Sequence, residues 1–134
     1  MKKLAVKKPN IKESIKKGIQ LEDAIKHPVF CFKYLHKNYH IDKCDVNEKV
    51  SFLGTIVKLS TITWQDIEFS GRHGAGSEKI PRNAINIELP KEISDDVPFF
   101  LALRFCGMKP FVGYRNRFIF HVLYIDRDLS LYKH

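Results

Sequence analysis

The fold turns on the chain from Phe99 onward, which reads Phe99-Phe-Leu-Ala-Leu-Arg-Phe-Cys106, then Pro110-Phe-Val-Gly-Tyr114, then Arg117-Phe-Ile-Phe-His-Val-Leu-Tyr-Ile125. Three apolar runs separated by short polar or Gly-containing breaks predict antiparallel strands joined by tight hairpins, a β-meander. Side chains on a strand alternate between its two faces. On the last run this puts Arg117, Ile119, His121, Leu123 and Ile125 on one face and Phe118, Phe120, Val122 and Tyr124 on the other. On the first run Leu101, Leu103 and Phe105 oppose Phe100, Ala102, Arg104 and Cys106. The expectation is one apolar face against helices and one solvent-facing face where Arg104, Arg117 and His121 converge, joined by Arg115 from the preceding turn.

Upstream, Ala84-Ile-Asn-Ile-Glu-Leu89 alternates apolar and polar residues and predicts a strand, while Gly71-Arg-His-Gly-Ala-Gly76 is a loop by composition. Thr63-Trp-Gln-Asp66 reads as a helix start, with Gly71 as its stop. Asp45-Val-Asn-Glu48 has capping spacing. Behind it Val46, Val50, Leu53 and Val57 mark one helical face, widened by Phe52, Ile56 and Leu59, so this helix is expected to be largely buried. The two helices form a predicted hairpin with Trp64 and Ile67 facing the core. Val29-Phe-Cys-Phe-Lys-Tyr-Leu35 reads as a first strand. Before Pro28, Asn10 with Glu13 resembles a capping box, and Ile11, Ile15 and Ile19 recur every four residues among lysines. Gly18 weakens that helix by about 1 kcal/mol relative to Ala. The fold class is α+β: a helix hairpin packed on an antiparallel β-meander sheet over residues 29–134, with a basic helical extension over 1–28.

A chain of 134 residues supports one hydrophobic core, and 44% apolar with 12% aromatic residues excludes a disordered chain. No apolar run approaches the roughly 20 residues that cross a bilayer. The start, Met1-Lys-Lys-Leu-Ala-Val-Lys-Lys, has no long apolar segment behind it. Cys31, Cys44 and Cys106, odd in number and widely spaced, offer no disulfide framework and suit a reducing cytoplasm. The net charge of +8 is uneven. Residues 1–40 set ten Lys against Glu13, Glu22 and Asp23, residues 41–96 carry an acidic excess, and residues 97–134 are basic again. Clustered cations favour an anionic partner, nucleic acid first, because neutralised phosphates release counterions. A solvated Lys-rich tail is the plainer alternative.

The Gly-rich loop lacks the Gly-Lys-Ser/Thr ending of a P-loop, which excludes that mode of nucleotide binding. It either carries Arg72 and His73 to a substrate or is an inert surface loop. His27, Cys31, His36, His40 and Cys44 lie close in sequence, but without the paired spacing of a structural zinc site. Asp126-Arg127-Asp128 reads as a solvated turn rather than a cation site. No cofactor and no metal are expected. No Cys or Ser has an evident base beside it to make it a nucleophile. If the cationic face is catalytic, it suits RNA cleavage by 2′-hydroxyl attack. His121, His73 or His134 would move protons, with Tyr132 a weaker candidate, and Arg104, Arg115 and Arg117 would stabilise the pentavalent phosphate. Arg72, His73, Arg115 and Lys109 are the candidate substrate-binding residues. The plain counter-reading is that exposed faces of antiparallel sheets ordinarily carry charge.

The order strand, helix hairpin and antiparallel meander, with Arg on the strands and Tyr132 and His134 at the end, resembles the RelE/ParE-type toxin superfamily. The resemblance covers about residues 29–134. It implies a small cytoplasmic protein that cuts messenger RNA or, in the ParE branch, inhibits gyrase. It further implies substrate contacts at Arg104, Arg117, Tyr132 and His134, and an acidic protein partner such as an antitoxin. The basic tail and the acidic middle depart from that pattern. RNA is favoured over DNA as the nucleic acid, with no membrane. The rival readings are a non-catalytic nucleic-acid-binding module and a small protein-interaction domain of phage or bacterial origin.

Overall fold

The computed structural model describes residues 26–69 and 76–134; the expected tail helix, and Arg72 and His73, lie outside them. The chain is α+β. In order it contains β1 (Val29–Cys31), a 3-10 turn at Ile41–Lys43, α1 (Val46–Leu59), α2 (Trp64–Phe69), β2 (Glu78–Pro81), a 3-10 turn at Arg82–Ala84, β3 (Phe99–Cys106), β4 (Lys109–Asn116) and β5 (Ile119–Ile125). The strands form one mixed sheet in the order β1-β5-β4-β3-β2. β3, β4 and β5 pair antiparallel in succession, as their apolar runs predict, and β1 joins β5 in parallel.

Three sequence expectations are corrected. The strand expected over 84–89 is instead β2, at 78–81. Ile85, Ile87 and Leu89 alternate because they lie half-buried against the sheet's face, where Asn86 N–H donates to the Leu131 carbonyl. Pro81 is tolerated in β2 because β2 is an edge strand. The first strand ends at Cys31 rather than Leu35, and Tyr34 and Tyr39 turn back onto the sheet. The period of two also fails on β5. A register shift opposite Val112 and Gly113 sends Leu123 and Tyr124 to one face while Val122 and Ile125 share the other. Bulges re-aim side chains in this way. Gly113 permits the close approach, since a Cβ there would collide with the His121 carbonyl oxygen and meet the Phe120 ring at 2.8 Å.

Both faces of the sheet are covered. On one, Leu103, Phe111, Phe120 and Val122 form a core with Phe52 and Leu59 of α1 and Trp64 and Ile67 of α2. On the other, Ile80, Phe100, Ala102, Val112, Leu123 and Tyr124 are sealed by Ile93, Val97, Leu131 and Tyr132. The solvent-facing cationic face expected from the alternation is therefore a second core. Strands apolar on both sides ask for covering on both sides, and Phe100, Ala102 and Leu123 already belong to the supposedly wet face.

The buried side of α1 also differs from expectation. Its inward residues are Glu48, Phe52 and Leu59, whereas Val46, Val50, Leu53 and Val57 are 73%, 66%, 64% and 59% exposed. The helix starts as its sequence predicts. Asp45 accepts from Glu48 N–H at 2.8 Å, and Glu48 Oε1 accepts from Asp45 N–H at 2.8 Å, a full capping box. The same Glu48 carboxylate, 1% exposed, takes Lys109 Nζ at 2.5 Å and Arg127 Nε at 2.9 Å. That pairing sets which edge of the helix meets the sheet.

Lys109 and Arg127 hold the Glu48 carboxyl down to about 2, against an ordinary value of 4.5. A carboxyl depressed on folding contributes stability above its ordinary value and loses it as pH falls toward the folded value. Glu48→Gln is therefore expected to lose about 2 kcal/mol at neutral pH, below the usual cost of a broken buried pair because both cations remain partly wetted. Its urea-unfolding curve is also expected to lose the fall in stability that the native protein shows between pH 4.5 and about 2. Equal acid sensitivity in both proteins would refute this role.

Candidate functional site

The strand register separates the cations that the sequence groups together. Arg104 lies opposite Pro110, at the β3–β4 end of the sheet, and Arg117 follows Asn116 in the turn at the other end. Seven residues of strand put them about 20 Å apart.

At the Arg117 end the Arg115 guanidinium is structural. Arg115 lies over the Trp64 ring at 4.3 Å, donates from Nε to the Arg117 carbonyl at 2.7 Å, and pairs with Glu68. Trp64 Nε1 donates to the Phe118 carbonyl at 2.9 Å, fixing α2 to the same turn. Arg115 and Glu68 line a cleft of about 390 Å³ with Pro98, Phe99 and Tyr114, but they largely neutralise each other at its wall. Arg117 itself is exposed, with a left-handed backbone (φ 60°).

His121 sits between aromatic rings. Tyr114 stacks on it at 6.4 Å and Tyr34 lies 5.8 Å away on the same side of the sheet. Its Nδ1 is inaccessible and has no hydrogen-bond partner, and burial pushes its pKa below the ordinary histidine value. This imidazole is a neutral packing group near pH 7, which counts against the proton-moving role assigned to it from sequence.

The other end of the sheet brings together Arg104, Tyr132 and His134. The bond that organises them starts from Asp126, which is fully buried and accepts Ser130 N–H and Leu131 N–H, each at 3.0 Å. This folds the chain end back onto the sheet and buries Leu131 and Tyr132. His134 then packs at a tilt on Tyr132, ring centroids 4.2 Å apart, with Nε2 3.9 Å from Asp126 Oδ2. Arg104, Glu78 and Asp126 lie near enough to bias the Tyr132 hydroxyl, whose pKa burial pushes up to about 12. Tyr132 is thus a neutral hydrogen-bonding group. Gly76, where the Gly-rich loop rejoins the body, is buried beside the Arg104 stem, with space for a Cβ only 3.3 Å from it.

Among the described residues the Arg104 side chain makes no ion pair and no hydrogen bond, whereas Lys109 and Arg127 at the same end are committed to Glu48. The corner presents one uncommitted guanidinium, a neutral phenol and an imidazole 3.9 Å from a buried carboxylate. Such a set can hold an anion and transfer one proton.

Asp126 and Glu48 are the organising residues that the sequence reading misses. The turn reading of Asp126-Arg127-Asp128 holds for exposed Asp128, not for Asp126. The available signal is the apolar Leu131 and Tyr132 five and six residues later, which need something to bring them back. Of the close-set His and Cys residues, His27 Nδ1 lies 2.9 Å from the Ile62 carbonyl, His36 Nε2 lies 3.0 Å from Glu88, His40 caps Ile41–Lys43, and Cys44 is core. No helix among the described residues is long and apolar enough to cross a membrane. Comparison with known proteins finds no matching family model, no matching curated protein and no matching solved structure.

A histidine held neutral by folding costs stability when the unfolded chain can protonate, so the native state weakens as pH falls below about 6.5. His121→Phe, which fits between the two tyrosines and carries no orphan nitrogen, is expected to flatten that decline while matching the native protein above pH 7. Denaturant midpoints across this range check it; an unchanged decline would assign the sensitivity to other groups.

Proposed function

We propose that the protein is a cytoplasmic, toxin-like RNA endonuclease that needs no metal and works at the Arg104–Tyr132–His134 corner. The observation that carries this reading is the uncommitted Arg104 guanidinium near the Tyr132 hydroxyl, with the His134 ring packed on Tyr132. In the reaction a base takes the proton of an RNA 2′-hydroxyl, and the oxygen attacks the adjacent phosphorus. The 5′-oxygen bond breaks as an acid protonates the leaving oxygen, giving a 2′,3′-cyclic phosphate and a 5′-hydroxyl. Arg104 neutralises charge on the pentavalent phosphate. His134 takes one of the two proton roles. His73 is the proposed second group, on the loop that rejoins the body beside Arg104. Arg72, Lys109 and Arg117 are proposed backbone contacts.

The RelE/ParE-type resemblance is consistent with this assignment and extends it: α1 and α2 as the helix hairpin over β3–β5, residues 1–28 as the basic extension, and an acidic antitoxin-like protein as partner. The rival reading is an RNA-binding module without turnover. Two observations favour it: His121 is packed as a neutral group, and Tyr132 is held far from a neutral-pH titration.

Purified protein incubated with RNA in EDTA separates the two. The endonuclease reading expects fragments ending in cyclic phosphate, with His134→Ala lowering the rate about 100-fold or more while retaining RNA binding. Arg104→Ala is expected to lower both. Salt-dependent binding without cleavage would establish the module instead, and no RNA affinity at low salt would remove both.

A further inference from the structure

α1 carries a second apolar stripe that the sheet does not use. Val46, Val50, Leu53 and Val57 are spaced four, three and four residues apart, the a/d seam of a two-helix coiled coil, and all four are more than half exposed. Three of them are valines, which favour a helix less than the Ala, Glu or Lys that suit its water-facing positions. No charged residue stands within the stripe. It adjoins an apolar groove of about 440 Å³ lined by Phe32, Leu35, Ile41, Phe52 and Ile56. A continuous apolar surface of this kind marks a protein contact.

We propose that the stripe is the contact between two copies of this chain, packed antiparallel through α1 about a two-fold axis. What selects a second copy is the symmetry of the stripe itself. A closed two-fold contact requires one patch to complement itself. The four-three-four spacing reads the same in both directions, with its midpoint between Ser51 and Phe52. Turning one helix end for end about that point sets Val46 opposite Val57 and Val50 opposite Leu53. Every layer of the contact is then apolar. The buried side of α1, through Glu48, Phe52 and Leu59, points away from the stripe, so the two sheets stand on opposite sides of the helix pair.

The flanking positions match as well. At about 100° per residue, Lys49 and Ile56 border the stripe on one side, Asn47 and Gly54 on the other. The two-fold axis brings Lys49 within two residues, about 3 Å of axis, of Ile56 in the second copy, which the lysine's methylene stem covers. Gly54 meets Asn47 of the second copy. Nothing lies within 4 Å of where a Cβ at Gly54 would stand, which leaves room for close approach. The two Lys49 residues are offset by five positions, about 7.5 Å, and the two Lys58 residues by thirteen, about 20 Å. An antiparallel sense also sets the positive N-terminal end of each helix beside the negative C-terminal end of the other, where a parallel pair sets like ends together. The contact is small, roughly under 1,200 Å² in total, so the dimer is weak, half-associated on the order of tens of micromolar.

Sedimentation equilibrium of the full chain from about 5 to 500 µM tests this, with Val50→Glu/Leu53→Glu as comparison. The native protein is expected to pass from monomer to dimer mass across that range. The double variant, which sets four carboxylates around the two-fold axis, is expected to weaken association at least about tenfold. Val50 and Leu53 are exposed, so this variant keeps its core, which unchanged hydrogen-exchange protection of β3–β5 verifies. Orientation is read from cysteines on the stripe. Under mild oxidation Val46→Cys is expected to link to Val57→Cys in a mixture of the two variants, and neither variant to link to itself faster than the native protein does. Monomer mass at every concentration would overturn the proposal, as would a dimer of equal strength in Val50→Glu/Leu53→Glu. Self-linked Val46→Cys would overturn the antiparallel register.

Discussion

One carboxylate holds three separate parts of the chain in register. Glu48 closes the capping box of α1, receives Lys109 from the start of β4 and receives Arg127 from the segment after β5. A buried charge is costly unless every lone pair is answered, so α1 can sit in only one rotation over the sheet. In that rotation Phe52 reaches Phe105 and Phe111, with ring centroids at 5.6 and 5.2 Å, and Leu59 is buried behind it. The valine side is turned outward as a consequence. Apolar content alone would have chosen otherwise, since the stripe through Val46, Val50, Leu53 and Val57 is the more regular of the two. Here the polar constraint decides.

The same pairing governs the electrostatics of the β3–β4 end. Lys109 and Arg127 look like available cations in sequence, yet each is drawn onto Glu48 and its charge is partly neutralised there. Arg115 is drawn onto Glu68 and the Trp64 ring in the same way. Counting basic residues therefore overstates what this body can offer to an anion. Arg104 differs because its surroundings on the second core are a phenol and a glycine rather than a carboxylate in contact.

Local signals carried much of the fold. α1 was legible from Asp45 and Glu48, α2 from Thr63 and Trp64, and β3–β5 from uninterrupted β-branched and aromatic runs. What was not legible depends on contacts distant in sequence. The parallel pairing of β1 with β5, residues 29–31 beside 119–121, leaves no local trace. β2 is short and polar at its start, so Glu78-Lys-Ile-Pro81 reads as loop. The bulge opposite Gly113 reverses the faces of Tyr124 and Ile125, and only the collision awaiting a Cβ at that position reveals why glycine stands there. Of the candidate site, Tyr132 and His134 were named as chain-end residues without a reason for their being near Arg104. That reason is Asp126, whose two backbone hydrogen bonds are made five residues along the chain or fewer yet depend on its burial under the sheet end.

Seven lysines against three acids lie in residues 1–25, so half of the net +8 precedes the described body. α1 starts where Glu48 meets Lys109 and Arg127, which is also the end of the sheet that holds Arg104 and His134. Because Lys109 and Arg127 are already answered by Glu48, Arg104 is the cation among these three that this end of the body leaves for contact with an anion, while a large share of the chain's positive charge lies outside the described residues.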